Sequence, residues 1–156
     1  MFKTNVTRLL TAAGVPFETA EYEFDEKDLS GLHAAKATGM PAEQVFKTLV
    51  TRGGGKNFYV FCIPVCCELD LKKAARAAGE KSIEMLHVNE LLPLTGYIRG
   101  GCSPIGMKKK FPTFLEETAQ LCEKIAVSAG QRGCQIILSP EDLRTYIDAA
   151  YADLTV

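Results

Sequence analysis

The chain has 156 residues, 47% of them apolar and 24% charged, with a formal net charge of −1. That length supports one domain with a real core, and no run of about eighteen apolar residues is present to span a membrane. A near-neutral chain is a poor match to a protein that grips a duplex through many phosphates, so neither DNA nor a membrane is an expected partner. The first residues, MFKTNVTRLL, hold no long apolar stretch and no small-residue cleavage site, so the expected compartment is the cytoplasm.

Taken in order, Val6, Leu9, Leu10 and Ala13 recur at helical spacing behind Thr4 or Asn5, predicting a helix over 4–13 stopped by Gly14. Residues 17–24 alternate as a strand with Tyr22 near its end, and 25–31 is a polar loop. An Ala-rich helix over 32–38 closes at Gly39, and Pro41 opens a short helical turn. Residues 45–51 and 58–64 read as a hairpin around Gly53, Gly54 and Gly55. Asp70 caps a helix over 71–78 ended by Gly79. A short strand over 83–86 and a short helix around 90–92 follow. Residues 113–119 fit strand and helix equally. Strands over 125–127 and 135–138 flank a turn at 130–133. Ser139 then caps a helix over 140–149, with Pro140 at its first position and Asp142 at the capping-box position. Helices and strands mix without β-α-β alternation, which predicts a single α+β domain built on a curved mixed sheet or partial barrel with helices outside.

The stretch from Gly96 to Gly106, GYIRGGCSPIG, cannot be a regular helix or central strand. Gly100 and Gly101 let backbone approach another molecule and turn N–H groups toward one point. Read alone, the same stretch is a turn between strands. Lys47 is the other conspicuous residue. It lies in an apolar strand, shares a face with Leu49, and fits either a lysine reaching off a sheet edge or a cation lining a cleft. The basic clusters Lys72, Lys73, Arg76 and Lys108, Lys109, Lys110 read as solvated faces.

Protein nucleophiles are harder to find. The two histidines, His33 and His87, have no Ser or Cys beside them in a nucleophile motif. The glycines at 53–55 lack the Lys-Ser/Thr ending of a phosphate loop. The six cysteines form no Cys-x-x-Cys pair with a histidine at ligand spacing, so no metal or other cofactor is expected. Cys62, Cys66, Cys122 and Cys134 sit in or beside apolar segments, as buried thiols do. Cys66 and Cys67 leave a redox role open. Cys102, inside the glycine motif, stands apart.

Four stretches carry a resemblance in their order and spacing: QVFKTLV at 44–50, LDLKKAARAAG at 69–79, GYIRGGCSPIGMKKKFPT at 96–113 and VSAGQRG at 127–133. Together they resemble the YbaK/EbsC family across nearly the whole chain. The branch they match best deacylates Cys-tRNA(Pro) and Cys-tRNA(Cys), and the family is related to the editing domain of bacterial prolyl-tRNA synthetases. The resemblance implies a trans-editing deacylase that removes cysteine mischarged onto tRNA(Pro), alongside prolyl-tRNA synthetase. It implies Lys47 as the essential lysine near the terminal adenosine and its phosphate, and Gly100 and Gly101 as the loop that holds the aminoacyl carbonyl. Tyr22 and Thr48 match pocket positions, Ser128 and Arg132 match the segment closing the cleft, and Cys102 and Ser103 belong to the same wall. Ser30 falls where some relatives carry an aromatic residue. The implied mechanism is attack by the substrate's own thiol, which accounts for a chain without an evident nucleophile. Relatives that edit alanine make an alanyl or broad deacylase using water the alternative, and a non-catalytic tRNA- or synthetase-binding module is a third reading.

Overall fold

The structure, a computed structural model, describes residues 2–156. Helix α1 (Asn5–Ala12) is capped by Thr4, whose hydroxyl accepts the Thr7 N–H and donates to the Ala129 carbonyl at 2.8 Å. One side chain thus starts the first helix and ties it to a turn 125 residues away. Val6 and Leu10 on its inner face enter the main core beside Ile125, Val127, Ile136 and Leu138.

Two sheets carry the fold. In the smaller, β1 (Glu18–Glu21), β7 (Cys134–Leu138) and β6 (Ile125–Ser128) are antiparallel neighbours in that order. The larger is mixed. Its centre is the hairpin of β2 (Phe46–Arg52) and β3 (Phe58–Pro64), in register from Phe46 opposite Pro64 to Arg52 opposite Phe58. β4 (Glu84–Met85) pairs with β2, while β5 (Thr113–Glu116) and β8 (Ala150–Ala152) extend the other side in parallel. The hairpin separates two apolar layers. Phe46, Val50, Val60 and Cys62 face the main core, and Phe61 and Ile63 pack with Ala74 and Ala75 of α3 (Leu71–Ala78). Asp70 caps α3 by accepting the Lys72 and Lys73 N–H groups at 2.9 and 3.2 Å.

The α+β frame agrees with the sequence reading, but the sheet is divided. Val45 makes a single parallel bridge to Ala126, and this is where the two sheets meet. A 3-10 turn at Ala42–Gln44 immediately precedes, so only one residue runs extended beside β6. Further along the same edge of β2, Thr51 and Arg52 pair with β4. Between these attachments the edge of β2 carries no strand, and among the described residues no barrel closes.

Other differences are local. β1 ends at Glu21, short of the expected 24. Helix α2 (Gly31–Thr38) begins at Ser30, whose Oγ accepts the His33 N–H. The helix expected around 90–92 is longer, α4 (Val88–Thr95), because Glu90 accepts the His87 N–H at 3.2 Å and pairs with Arg52 at the end of β2. Pro93 sits late in α4, where its missing N–H loses a single bond. Residues 113–119 divide into β5 and a 3-10 turn (Glu117–Leu121). Glu116 causes the break: its buried carboxylate accepts N–H groups of Thr118 and Leu154, both at 2.9 Å. Helix α5 (Pro140–Ile147) stops at Asp148 in the left-handed region, φ 55°, which frees the following residues to form β8, a strand the sequence reading missed.

Candidate functional site

A cleft of about 470 Å³ opens along the uncovered part of β2. Residues 45–50 form its floor. Tyr22 and the start of α2 make one wall with Ser128 and Gln135, Met85 to Val88 and Leu91 make the other, and Arg99, Gly100 and Cys102 form the lip. The cleft is a direct result of topology: β6 and β4 attach to opposite ends of one strand edge, and a ligand can reach the middle.

Lys47, Thr48, Tyr22, Ser30, Ser128, Gly100 and Cys102 all line this space, although the chain separates Tyr22 from Ser128 by more than half its length. Lys47 lies on β2 opposite Ile63 and joins no ion pair among the described residues. Other basic residues are partly committed: Lys73 to Asp153 and the Thr155 carbonyl, Lys110 to Asp148, Arg52 to Glu90. Thr48 Oγ1 lies 3.9 Å from the sulfur of buried Cys62. Tyr22 is half-buried against His33, ring centroids 6.1 Å apart, and desolvation raises its phenol above the ordinary value. Ser30 uses its hydroxyl locally, accepting from His33 and donating to Asp28 Oδ1 at 2.6 Å. Ser128 Oγ accepts the Gly130 N–H at 3.1 Å.

Gly101, Ser103 and Arg132 are not lining residues; they build the lip from behind. The Gly101 N–H donates to the Ile98 carbonyl at 3.0 Å, and a Cβ at Gly101 would stand 3.2 Å from the backbone of Gln131 and Arg132. Arg132 Nε donates to the Arg99 carbonyl at 2.9 Å. Ser103 is fully buried and accepts the Ile105 N–H at 3.2 Å, while Tyr97 donates its hydroxyl to the Ile105 carbonyl. The loop is therefore braced by its own side chains and by the turn at 130–133. Gly100 occupies φ 87°, a conformation that L side chains rarely adopt. With Gly101 committed, the N–H groups of Gly100 and Cys102 are donors of the lip with no protein acceptor among the described residues.

The thiols facing the cleft are poor nucleophiles. Burial pushes Cys102 up to about 12, and burial also raises Cys134. Both stay protonated near neutral pH, and only a thiolate attacks. Cys66 and Cys67, free and 3.8 Å apart at sulfur, lie in the turn after β3 and do not line the cleft. Among the described residues no cluster of three or more His, Cys, Asp or Glu is placed to hold a metal ion. No helix there is long and apolar enough to cross a membrane.

Sequence reasoning passed over several lining residues, Arg99 and Gln135 among them. Arg99 stands inside the quoted glycine motif and was assigned no role there. Gln135 was read only as the start of a strand, though a lone amide beside Ile136, Ile137 and Leu138 was a signal that its side chain meets something polar.

The family model for the aminoacyl-tRNA editing domain matches residues 31–146. A protein of Enterococcus faecalis, EbsC, named as a proposed Cys-tRNA(Pro)/Cys-tRNA(Cys) deacylase, is 48% identical over 153 residues, 98% of this chain and 93% of its own. The crystal structure of a proposed trans-editing enzyme for prolyl-tRNA synthetase superposes with a TM-score of 0.84 at 25% identity, covering 100% of this chain and 99% of its own. The hypothetical protein APE2540, at 21% identity and a TM-score of 0.89 over 98% of this chain and 100% of its own, shares the fold. By the family match and the full-length relative, the chain belongs to the aminoacyl-tRNA editing domain family.

Proposed function

We propose that this protein removes cysteine from mischarged tRNA(Pro), and from Cys-tRNA(Cys), as a trans-editing deacylase beside prolyl-tRNA synthetase. All 156 residues act as one editing unit, since α1, which precedes the matched region, shares the main core. Lys47 meets the 3′-terminal nucleotide, where a cation without an internal partner is free to pair with phosphate. The aminoacyl ester lies under the lip. Donors on Gly100 and Cys102 receive the carbonyl oxygen as it gains charge, and one such donor contributes about 3 kcal/mol to a transition state.

The carrying observation is the combination of donors without protein acceptors at the lip and cleft thiols that burial holds protonated. Cysteine on the tRNA supplies the missing group. Its thiol, with an ordinary pKa of about 8.5, yields a usable thiolate fraction near neutral pH. The sulfur attacks its own carbonyl carbon, the bond to the ribose oxygen breaks, and that oxygen takes up a proton. A thiolactone and free tRNA leave. The test is a panel of Cys-tRNA(Pro), Ala-tRNA(Pro) and Pro-tRNA(Pro), with and without prolyl-tRNA synthetase. Loss of cysteine alone supports the reading. Loss of alanine at a similar rate replaces it with a water-dependent deacylase, and loss of none replaces it with a binding module.

A further inference from the structure

Gln135 is 5% exposed, and its Oε1 is a buried side-chain oxygen without a hydrogen-bond partner among the described residues. Buried acceptors are normally satisfied, and leaving one open is unfavourable. The residue lines the cleft. It sits on β7 directly opposite Ser128 on one side and Ala20 on the other. Ser128 also lines the cleft, so two side-chain oxygens stand next to each other on this wall. The small side chain of Ala20 contributes no polar group. Nothing in the strand's own packing calls for an amide, since neighbouring Ile137 packs on the apolar junction of Val45 and Ala126.

An open acceptor selects a donor. On an aminoacyl ester the strong donor is the α-ammonium group, and its positive charge is best placed away from Lys47, which lies on β2 in the other sheet. We propose that Gln135 Oε1 binds the α-amino group of the aminoacyl substrate, accepting a hydrogen bond from it while the ester end lies under the glycine lip. This rests on the functional reading above and adds an orientation to it: amine toward β6 and β7, carbonyl toward Gly100.

The test uses two non-hydrolysable ligands, 3′-deoxyadenosine carrying cysteine through a 3′-amide and the same compound lacking the α-amino group. Wild type should bind the amine form about 10-fold more tightly, the order expected for a hydrogen bond to a charged donor. Gln135→Met, of similar length, should bind both alike and melt no lower than wild type, because an open acceptor has been removed. Gln135→Glu should widen the preference. Equal binding of the two ligands by wild type would overturn the inference, since the amide would then be served by solvent, and so would a Gln135→Met variant that keeps the wild-type preference. If wild type shows equal binding yet still deacylates Cys-tRNA(Pro), only this inference falls. If it neither binds the analogues nor deacylates any tRNA, the functional reading falls and the inference with it.

Discussion

Two glycine-rich stretches of this chain look alike in sequence and differ in where their free donors stand. At the tip of the β2–β3 hairpin, Gly53 and Gly54 close over Glu80. Its carboxylate accepts the Gly54 N–H at 3.0 Å, Asn57 Nδ2 at 3.2 Å and the Tyr59 hydroxyl at 2.5 Å. That tip does not line the cleft. At the lip, Gly101 is bonded within its loop, but Gly100 and Cys102, which line the cleft, have N–H groups with no protein acceptor among the described residues. Glycine content marks a turn in both places. Among the described residues the Gly55 N–H also lacks a protein acceptor, so what marks the lip is that its free donors belong to residues lining the cleft.

The largest effect expected in this cleft belongs to the lysine on its floor. Lys47→Ala should lose about 10- to 100-fold in deacylation, as for a lost charge-assisted bond of about 1.5–3 kcal/mol, with little change in thermal melt. Unchanged turnover would remove Lys47 from the site.

A matched pair of glycine variants comes next. Gly100 at φ 87° and Gly55 at φ 63° both lie in the left-handed region, so alanine at either position should destabilise by about 1 kcal/mol. Gly100→Ala would also press on Leu29 and Arg132, where its Cβ would come within 3.2 to 3.4 Å, and should lower activity at least about 10-fold. Gly55→Ala meets nothing within 4 Å and should leave activity intact. Equal activities for the two variants would erase the distinction between the loops.

A smaller effect concerns Glu80. Hydrogen bonds from Tyr59 and Gly54 hold its carboxyl below the ordinary carboxylate value. A depressed folded pKa contributes stability above the unfolded value, and that contribution is lost as pH falls through the folded one. Glu80→Gln should therefore melt below wild type at pH 7, the gap should close at acid pH, and deacylation should not change. A gap that persists undiminished below the carboxylate range would show that the tip is held by something other than charge.

How much of this was legible beforehand follows from where the determinants sit. Asp70 and Ser139 stand next to the N–H groups they cap, so local spacing revealed them. The β2–β3 hairpin was readable for the same reason. The site was legible through Lys47 and the glycine stretch, whose residue types are unusual for a strand and a turn. Ser103 was not, because its place behind the lip depends on a bond to Ile105 inside a folded loop. Glu116 reads as surface charge until Leu154, 38 residues on, supplies the second donor. β8 forms only because β5 offers it a parallel edge. Gln135 needed Ala20 and Ser128 brought to either side of it before its open oxygen meant anything.

The smallest effect tests the central claim that the nucleophile arrives with the substrate. Cys102 is the thiol at the lip, and burial holds its pKa up to about 12. Single-turnover deacylation of Cys-tRNA(Pro) by Cys102→Ala, with mass spectrometry of the wild-type enzyme during turnover, decides the matter. The account predicts that Cys102→Ala stays within about threefold of wild type and that no acylated protein forms, because the attacking sulfur, of pKa about 8.5, belongs to the tRNA-bound cysteine. An inactive Cys102→Ala, together with a cysteinyl adduct on Cys102 of the wild type, would contradict it.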